Sequence, residues 1–191
     1  MPSAFGKPVT TANRFGAAAT PSAWTLVTTL TASASTSLSY TSFASASYGR
    51  YALLFTGFKA LYTGNLQVYF STDNGATYPT AKTDYYSIRS TGAATVGGLS
   101  AQAANFGYLF TGLENGIAKT TMGGELLFSY GVGSTGRSIL TGTLGGWSFN
   151  SRQQIDISSN SYDDGAEVNA IKFLLDSGTI TTGVIKIYGI T

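Results

Sequence analysis

From Trp24 onward, hydrophobic and polar side chains alternate along the chain with a period of two, which is the pattern of half-buried β-strands. Gly, Ser, Asn and Asp separate the alternating segments, and the 24 glycines would weaken helices. The predicted strands cover residues 24–31, 38–43, 51–58, 66–70, 85–89, 108–113, 125–130, 146–149, 153–158, 170–175 and 183–188. We therefore predict an all-β fold, a jelly-roll-like antiparallel β-sandwich.

Turn signals divide the strands at several points. Asn74-Gly75 is the strongest of them, because this dipeptide favours the positive φ angles of a tight hairpin turn. It predicts a hairpin that joins a strand over 66–71 to a strand near 77–80. The glycine-rich segments 95–99 and 142–146 lack the spacing and the following Lys-Ser/Thr of a phosphate-binding loop, so flexible β turns are expected there.

One pentapeptide occurs twice in similar form. Residues 54–58 read LFTGF and residues 109–113 read LFTGL. Chance is the simpler explanation in a sequence of low diversity. The alternative is that the two segments are equivalent strands of a jelly roll.

The first 22 residues differ from the rest. They hold three of the four prolines and have no periodic pattern, so an extended arm is predicted at 1–22 and a single β-sandwich domain at 23–191. The arm is too poor in periodic apolar residues to form its own core. We expect it to attach the protein to a neighbour, with Phe5 and Phe15 as anchors, Val9 in strand-like pairing and Arg14 nearby.

Composition argues against several classes of function. The chain has no cysteine and no histidine, so disulfides, thiolate metal sites and the commonest general base are absent. The net charge is +2 without a Lys/Arg cluster, which argues against nucleic acid as a partner. No continuous apolar stretch approaches the roughly 18 residues of a membrane span, so no membrane insertion is expected. We predict a protein that is not an enzyme and binds no cofactor.

The surface is expected to be hydroxyl-rich, because only 10% of the residues are charged. Such β proteins are frequent outside cells, yet no apolar signal-peptide core follows Lys7 or Arg14. A virion protein resolves this conflict, since it is made in the host cytoplasm and released by lysis. The expected location is therefore the outer surface of a virion.

The acidic residues form few combinations that could carry chemistry. Asp163, Asp164 and Glu167, with Asp156 nearby, could hold calcium, but the surrounding Ser and Asn residues favour a solvated loop. Asp73 is better explained as a turn residue than as half of a glycosidase pair with Asp84. We predict no buried carboxylate pair, no metal site and no catalytic residue.

Aromatic residues are the other candidates for binding. Most of the 12 tyrosines fall at alternating strand positions and are expected at the rim of the core or in interfaces. The more exposed positions are expected to be Tyr85, Tyr86 and Tyr162, and together with Trp147 they are the candidates for contact with a glycan or a partner protein.

Three blocks of the sequence resemble a family of tailed-bacteriophage virion structural proteins. They are residues 24–43, which begin WTLV, residues 48–78, which end FSTDNGATY, and residues 169–190, which end GVIKIYGI. The resemblance covers residues 24–191. It implies a compact β-sandwich near tail or capsid modules and implies no catalytic residue.

Together, the residues and the resemblance predict a structural protein on the outside of a tailed-phage virion, in the tail-fibre and receptor-binding apparatus. Capsid decoration is the alternative location, and a host-glycan-binding module is the alternative of another class. The expected partners are further copies of the chain, in a homotrimer, and other virion proteins.

Overall fold

The structure is a computed structural model that describes residues 23–44, 46–91, 95–113, 121–130, 137–148, 152–163 and 165–191. The predicted arm at 1–22, with its attachment residues Phe5, Val9, Arg14 and Phe15, lies outside the described residues, and so does Asp164.

The described residues form twelve β-strands and contain no helix, as the period-two pattern predicts. No helix in this part of the chain is therefore long and apolar enough to span a membrane. The strands are β1 (Trp24–Ser35), β2 (Ser37–Tyr40), β3 (Arg50–Ala60), β4 (Gly64–Ser71), β5 (Thr83–Thr91), β6 (Thr95–Ala104), β7 (Gly107–Leu113), β8 (Met122–Ser129), β9 (Ser138–Ser148), β10 (Arg152–Tyr162), β11 (Ala170–Leu175) and β12 (Ile180–Ile190).

The strands build two antiparallel sheets, so the predicted all-β sandwich is confirmed. The large sheet has the order β1-β12-β3-β8-β9-β10-β5-β6, and the small sheet has the order β7-β4-β11-β2. A single residue pair, Leu113 with Ser148, bridges the two sheets.

The connectivity is nested. β1 pairs with β12 in the large sheet, while their chain neighbours β2 and β11 pair in the small sheet. In the same way β3 pairs with β8, and β4 pairs with β7. The hairpins β5–β6 and β9–β10 are inserted into this frame of eight strands, and they lie side by side as four added strands of the large sheet.

Aromatic side chains fill the space between the sheets. Phe55 of β3 meets Phe173 of β11 edge-to-face, with 5.4 Å between ring centroids, and Phe43 lies 5.1 Å from Phe128. All four rings are buried. Full burial of one such side chain stabilises the fold by about 1.5–3 kcal/mol, so these contacts hold the layers together.

Two glycine-rich segments were predicted as turns, and this prediction is wrong. Residues 95–99 begin β6, and residues 142–146 lie within β9. Glycine is needed at Gly142 because a Cβ there would collide with the carbonyl oxygen of Glu125 on the neighbouring strand. Gly142 therefore allows two strands to approach closely and does not interrupt β9.

The predicted turn at Asn74-Gly75 is confirmed, but the hairpin predicted there is wrong. Both residues have positive φ, 57° for Asn74 and 81° for Gly75. No strand follows at 77–80, and β4 pairs with β7 and β11 instead. The carboxylate of Asp73 accepts hydrogen bonds from the backbone N–H and the hydroxyl of Thr77, which holds the chain in a compact loop.

The repeated LFTG segments share a backbone feature. Gly57 has φ 65° in β3 and Gly112 has φ 68° in β7, and the strand register shifts at both places. Each segment therefore needs glycine for a β-bulge. Both pentapeptides therefore place their glycine at a shift of the strand register.

Candidate interaction face

The polarity of strand β10 is inverted relative to an ordinary surface strand. Its inward side chains are Gln154, Asp156, Ser158 and Asn160, and all of them are buried. Its outward side chains include Ile155 and Ile157, which are 51% and 52% exposed. The inserted part of the large sheet thus turns aliphatic side chains toward the outside.

The strands beside β10 continue this surface, which we call the outer face and define by residues 86, 88, 90, 141, 143, 145, 147, 153, 155, 157 and 159. Ile157 lies between Thr143 of β9 and Ile88 of β5. Ser159 lies between Thr141 and Tyr86, and Tyr86 is 54% exposed. None of the outer-face residues is charged.

Trp147 closes one end of the outer face. It lies directly across from Gln153 on β10, and Gly145 lies across from Ile155. Trp147 and Gln153, with Gly145, Ser90 and Thr121 among their neighbours, line an open depression of about 410 Å³. A half-buried indole beside an amide and hydroxyl groups offers one flat apolar surface and several uncharged hydrogen-bonding groups.

Charged side chains limit the other end of the face. Asp84 of β5 accepts a hydrogen bond from Arg137 at 2.9 Å, and Arg137 also pairs with Asp163 at 2.6 Å. Asp163, which was weighed above as a calcium ligand and assigned instead to a solvated loop, therefore takes part in an ion pair, while Asp156 is buried between the sheets. Among the described residues, no group of three acidic residues is placed to hold a metal ion.

A buried polar network lies beneath the outer face. Asp156 accepts hydrogen bonds from the backbone N–H of Thr111 at 2.7 Å and from the amide of Gln154 at 2.9 Å. Arg89 donates to the hydroxyl of Thr111 at 3.2 Å. Burial raises the pKa of Asp156, although these hydrogen bonds and Arg89 oppose the shift. The network ties the inserted strands β10 and β5 to strand β7 of the small sheet.

The four aromatic candidates occupy different environments. Tyr86 and Trp147 lie on the outer face, as their prediction as contact residues requires. Tyr85 is half-buried on the opposite side of β5, and its ring lies 5.4 Å from that of Tyr108. The prediction that Tyr162 is exposed is wrong: it is 1% exposed and packs against Phe70, because it continues the inward-facing positions of β10.

A second aromatic group covers the outside of the small sheet. Its rings are linked at centroid distances from 5.2 to 6.5 Å, and they belong to Tyr78, Tyr69, Phe106, Tyr108 and Tyr85. The Lys172 ammonium lies 3.8 Å from the Tyr78 ring centroid, and burial lowers the pKa of Lys172. The contact between Lys172 and the Tyr78 ring was not predicted. No local sequence pattern indicates this contact, because Lys172 and Tyr78 are far apart in the chain.

The isoleucines of the outer face were also missed as candidates. The segment 153–158 (QQIDIS) was predicted as a strand, and its alternation of Ile with polar residues was visible. Alternation defines two faces but does not say which of them points inward.

Comparison of the chain with protein-family models, with curated proteins and with solved structures finds no match.

Proposed function

We propose that this protein is a non-enzymatic structural component on the outside of a tailed-phage virion, in the tail-fibre and receptor-binding apparatus. The observation that carries the proposal is the outer face. It is uncharged, and it exposes Ile155 and Ile157 while the polar side chains of the same strand are buried. Such a face loses little by desolvation when a partner covers it, which suits a protein whose chemistry is assembly.

The two-layered fold gives further support. The strand orders β1-β12-β3-β8 and β2-β11-β4-β7 are those of a long hairpin folded into two sheets, which is how we interpret the frame as a jelly roll. Jelly rolls are common in viral capsid and lectin domains. Capsid decoration remains the alternative location, and a homotrimer is the proposed assembly.

Attachment is proposed to depend on residues 1–22, with Phe5, Val9, Arg14 and Phe15 as contacts. We would delete these residues and measure both thermal unfolding and incorporation into particles. The expected result is a cooperatively folded domain that no longer enters the virion. Incorporation at the normal level would contradict the attachment role.

The outer face is tested by a second variant, Ile155→Thr with Ile157→Thr. Both side chains are half-exposed, so the domain should stay folded while its incorporation into particles falls. A matched control is Ser39→Thr, which changes an exposed residue of β2 in the small sheet. Equal incorporation of the double variant and the control would remove the outer face from the proposal.

A glycan-binding module is the second candidate, and the depression beside Trp147 favours it. Aromatic rings stack on the C–H faces of sugars, and Gln153 and Ser90 supply uncharged hydrogen-bonding groups next to the ring. A glycan array with the full chain, compared with Trp147→Ala, tests this function. Binding that Trp147→Ala abolishes would support it, and an array without specific signals would reject it.

A further inference from the structure

The two outermost strands of the large sheet each have an edge to which no described strand is paired. Among the strands that the structure describes, β1 pairs only with β12, and β6 pairs only with β5. An unpaired edge presents a row of backbone N–H and C=O groups, which is a template for the addition of another strand.

Neither edge carries a charge or a proline, which are two of the features that usually prevent such pairing. A bulge does interrupt β1 between Leu26 and Thr28, and the register of β6 shifts between Ala101 and Ala104. The sequences of β1 (WTLVTTLTASAS) and β6 (TVGGLSAQAA) contain no charged residue and no proline, and the strands are 12 and 10 residues long. Their positive-φ residues, Ala34 and Ala103, lie close to the strand ends. Residues 28–33 and 95–101 keep an unbroken register with their neighbours, so both strands present a regular ladder.

The two edges differ in the size of their side chains. β1 exposes Trp24 at 47% and Leu26 at 51%, with threonines after them. β6 has the small residues Gly98 and Ser100 on the outward side of the sheet, where they lie opposite Ile88 and Tyr86. Large side chains pack better beside small ones than beside other large ones, so the β1 edge fits the β6 edge better than either edge fits itself.

Burial supports an added strand at β6. Leu99 lies on the inner side of the sheet, opposite the buried Ser87, yet it is 42% exposed. A strand paired to β6 would place side chains beside Leu99 and cover it.

We propose that β1 of one copy of this chain pairs with β6 of a second copy, which joins their large sheets edge to edge. The partner is a second copy because one chain carries both the edge with large side chains, β1, and the edge with small side chains, β6. Neither edge has a charge that would have to be desolvated. The edges lie at opposite ends of one sheet, so the contact is head-to-tail and closes into a ring when its rotation allows. The inference deepens the proposed structural function and rests on it only in the expectation that the protein assembles.

Two variants of the full chain block one edge each. Thr29→Lys with Thr31→Lys places lysines on β1, and Gly98→Lys with Ser100→Lys places them on β6. All four residues are exposed, and a Cβ at Gly98 meets no atom closer than 3.7 Å, so both variants should fold. Circular dichroism and thermal unfolding check this.

Sedimentation equilibrium then gives the decisive comparison. The wild type should self-associate, and each variant alone should associate at least about tenfold more weakly, since edge lysines oppose pairing. An equimolar mixture of the two variants should form a one-to-one dimer, because each retains the edge that the other lacks. A matched control, Thr63→Lys with Ser177→Lys, changes two exposed residues in the turns before β4 and β12. It adds the same charge away from both edges and from the outer face, and it should associate like the wild type.

Several results would overturn the proposal. They are a monomeric wild type, a single-edge variant that associates normally, a mixture that forms no dimer, and a Thr63/Ser177 control that is the only variant to dissociate. If only the β1 variant dissociates, β1 pairs with itself; if only the β6 variant does, β6 pairs with itself. All of these measurements use purified protein. A result that rejects edge pairing can therefore be distinguished from a result that rejects incorporation into particles.

Discussion

Some positions of this fold require a particular residue because the backbone there has positive φ, and Gly75 is one of them. It has φ 81°, and a Cβ at this position would meet the Thr41 methyl group at 3.0 Å and the Tyr78 hydroxyl at 3.1 Å. Both the conformation and the space therefore require glycine.

We expect Gly75→Val to lower the free energy of unfolding by about 1–3 kcal/mol, because valine adopts positive φ only with strain. Gly49→Val is the matched control, since Gly49 has no positive φ, is exposed and has no atom within 4 Å of an added Cβ. It should change the free energy of unfolding by less than about 0.5 kcal/mol. Equal effects in urea unfolding would contradict this explanation.

Two carboxylates should affect stability in opposite directions as the pH changes. Burial raises the pKa of Asp156 above its ordinary 3.8, so the folded protein binds more protons than the unfolded chain at the pH values between the two pKa values. Its contribution is fully present below about 3.8 and is lost as the pH rises through the folded pKa. Asp156→Asn should therefore gain stability relative to the wild type as the pH rises above 4, when unfolding is measured in urea.

Asp73 is the internal comparison. Hydrogen bonds from Thr77 and Ser71 lower its pKa from 3.8 to about 2. Its contribution is present above about 3.8 and is lost as the pH falls through about 2. The difference in unfolding free energy between the wild type and Asp73→Asn should therefore shrink on acidification over this range. If the stability of Asp156→Asn and of Asp73→Asn relative to the wild type changed in the same direction with pH, these assignments of the two carboxylates would be wrong.

At the scale of single elements, a strand was predictable from the sequence where its alternating residues differ strongly in polarity. β12 is an example, because Ile185 and Ile187 are buried while Lys186 between them is exposed. β6 was not predicted, since its Gly, Ser and Ala residues differ little in hydrophobicity. The hairpin after β4 was predicted wrongly, because the turn dipeptide specifies φ angles and does not specify which strand follows.

The candidate site was only partly predictable for a related reason. Tyr86 and Trp147 were predicted as aromatic contacts for a glycan or a partner protein, and both lie on the outer face. Tyr162 was selected on the same grounds and is buried, because the phase of β10 places it inward. Which residues of β10 face inward depends on contacts with Thr111, such as its hydrogen bond to Asp156. Thr111 is 45 residues from Asp156 and belongs to the other sheet.

The inverted polarity of β10 gives a prediction for this element. Ile155→Thr with Ile157→Thr should lower the free energy of unfolding by less than about 1 kcal/mol, because both side chains are already half-exposed. Phe173→Ala, which removes a fully buried ring, should cost about 3–5 kcal/mol. Comparable losses in urea unfolding would mean that the isoleucines belong to the core.

At the scale of the whole molecule, the inserted hairpins and the frame of eight strands should differ in local stability. Within the described part of the chain, β6 pairs on one side only, whereas β12 and β3 are paired on both sides. Backbone amides of β6 should therefore exchange with deuterium faster than those of β12 and β3. Amides of β6 should also become more protected as the protein concentration rises if an edge of another copy covers them. Uniform protection across the large sheet at low concentration would contradict this order.

The pairing of β1 with β12 has a mechanical consequence. Trp24 lies opposite Ile190, whereas Ser35, at the other end of β1, lies opposite Ile180. A force applied between residues 24 and 190 therefore loads the hydrogen bonds of this ladder one after another and unzips it. A force between residues 24 and 180 loads the same bonds together, in shear. Single-molecule pulling should separate β1 from β12 at a lower force in the first geometry, so the direction of a tether at Trp24 decides how firmly β1 holds a load.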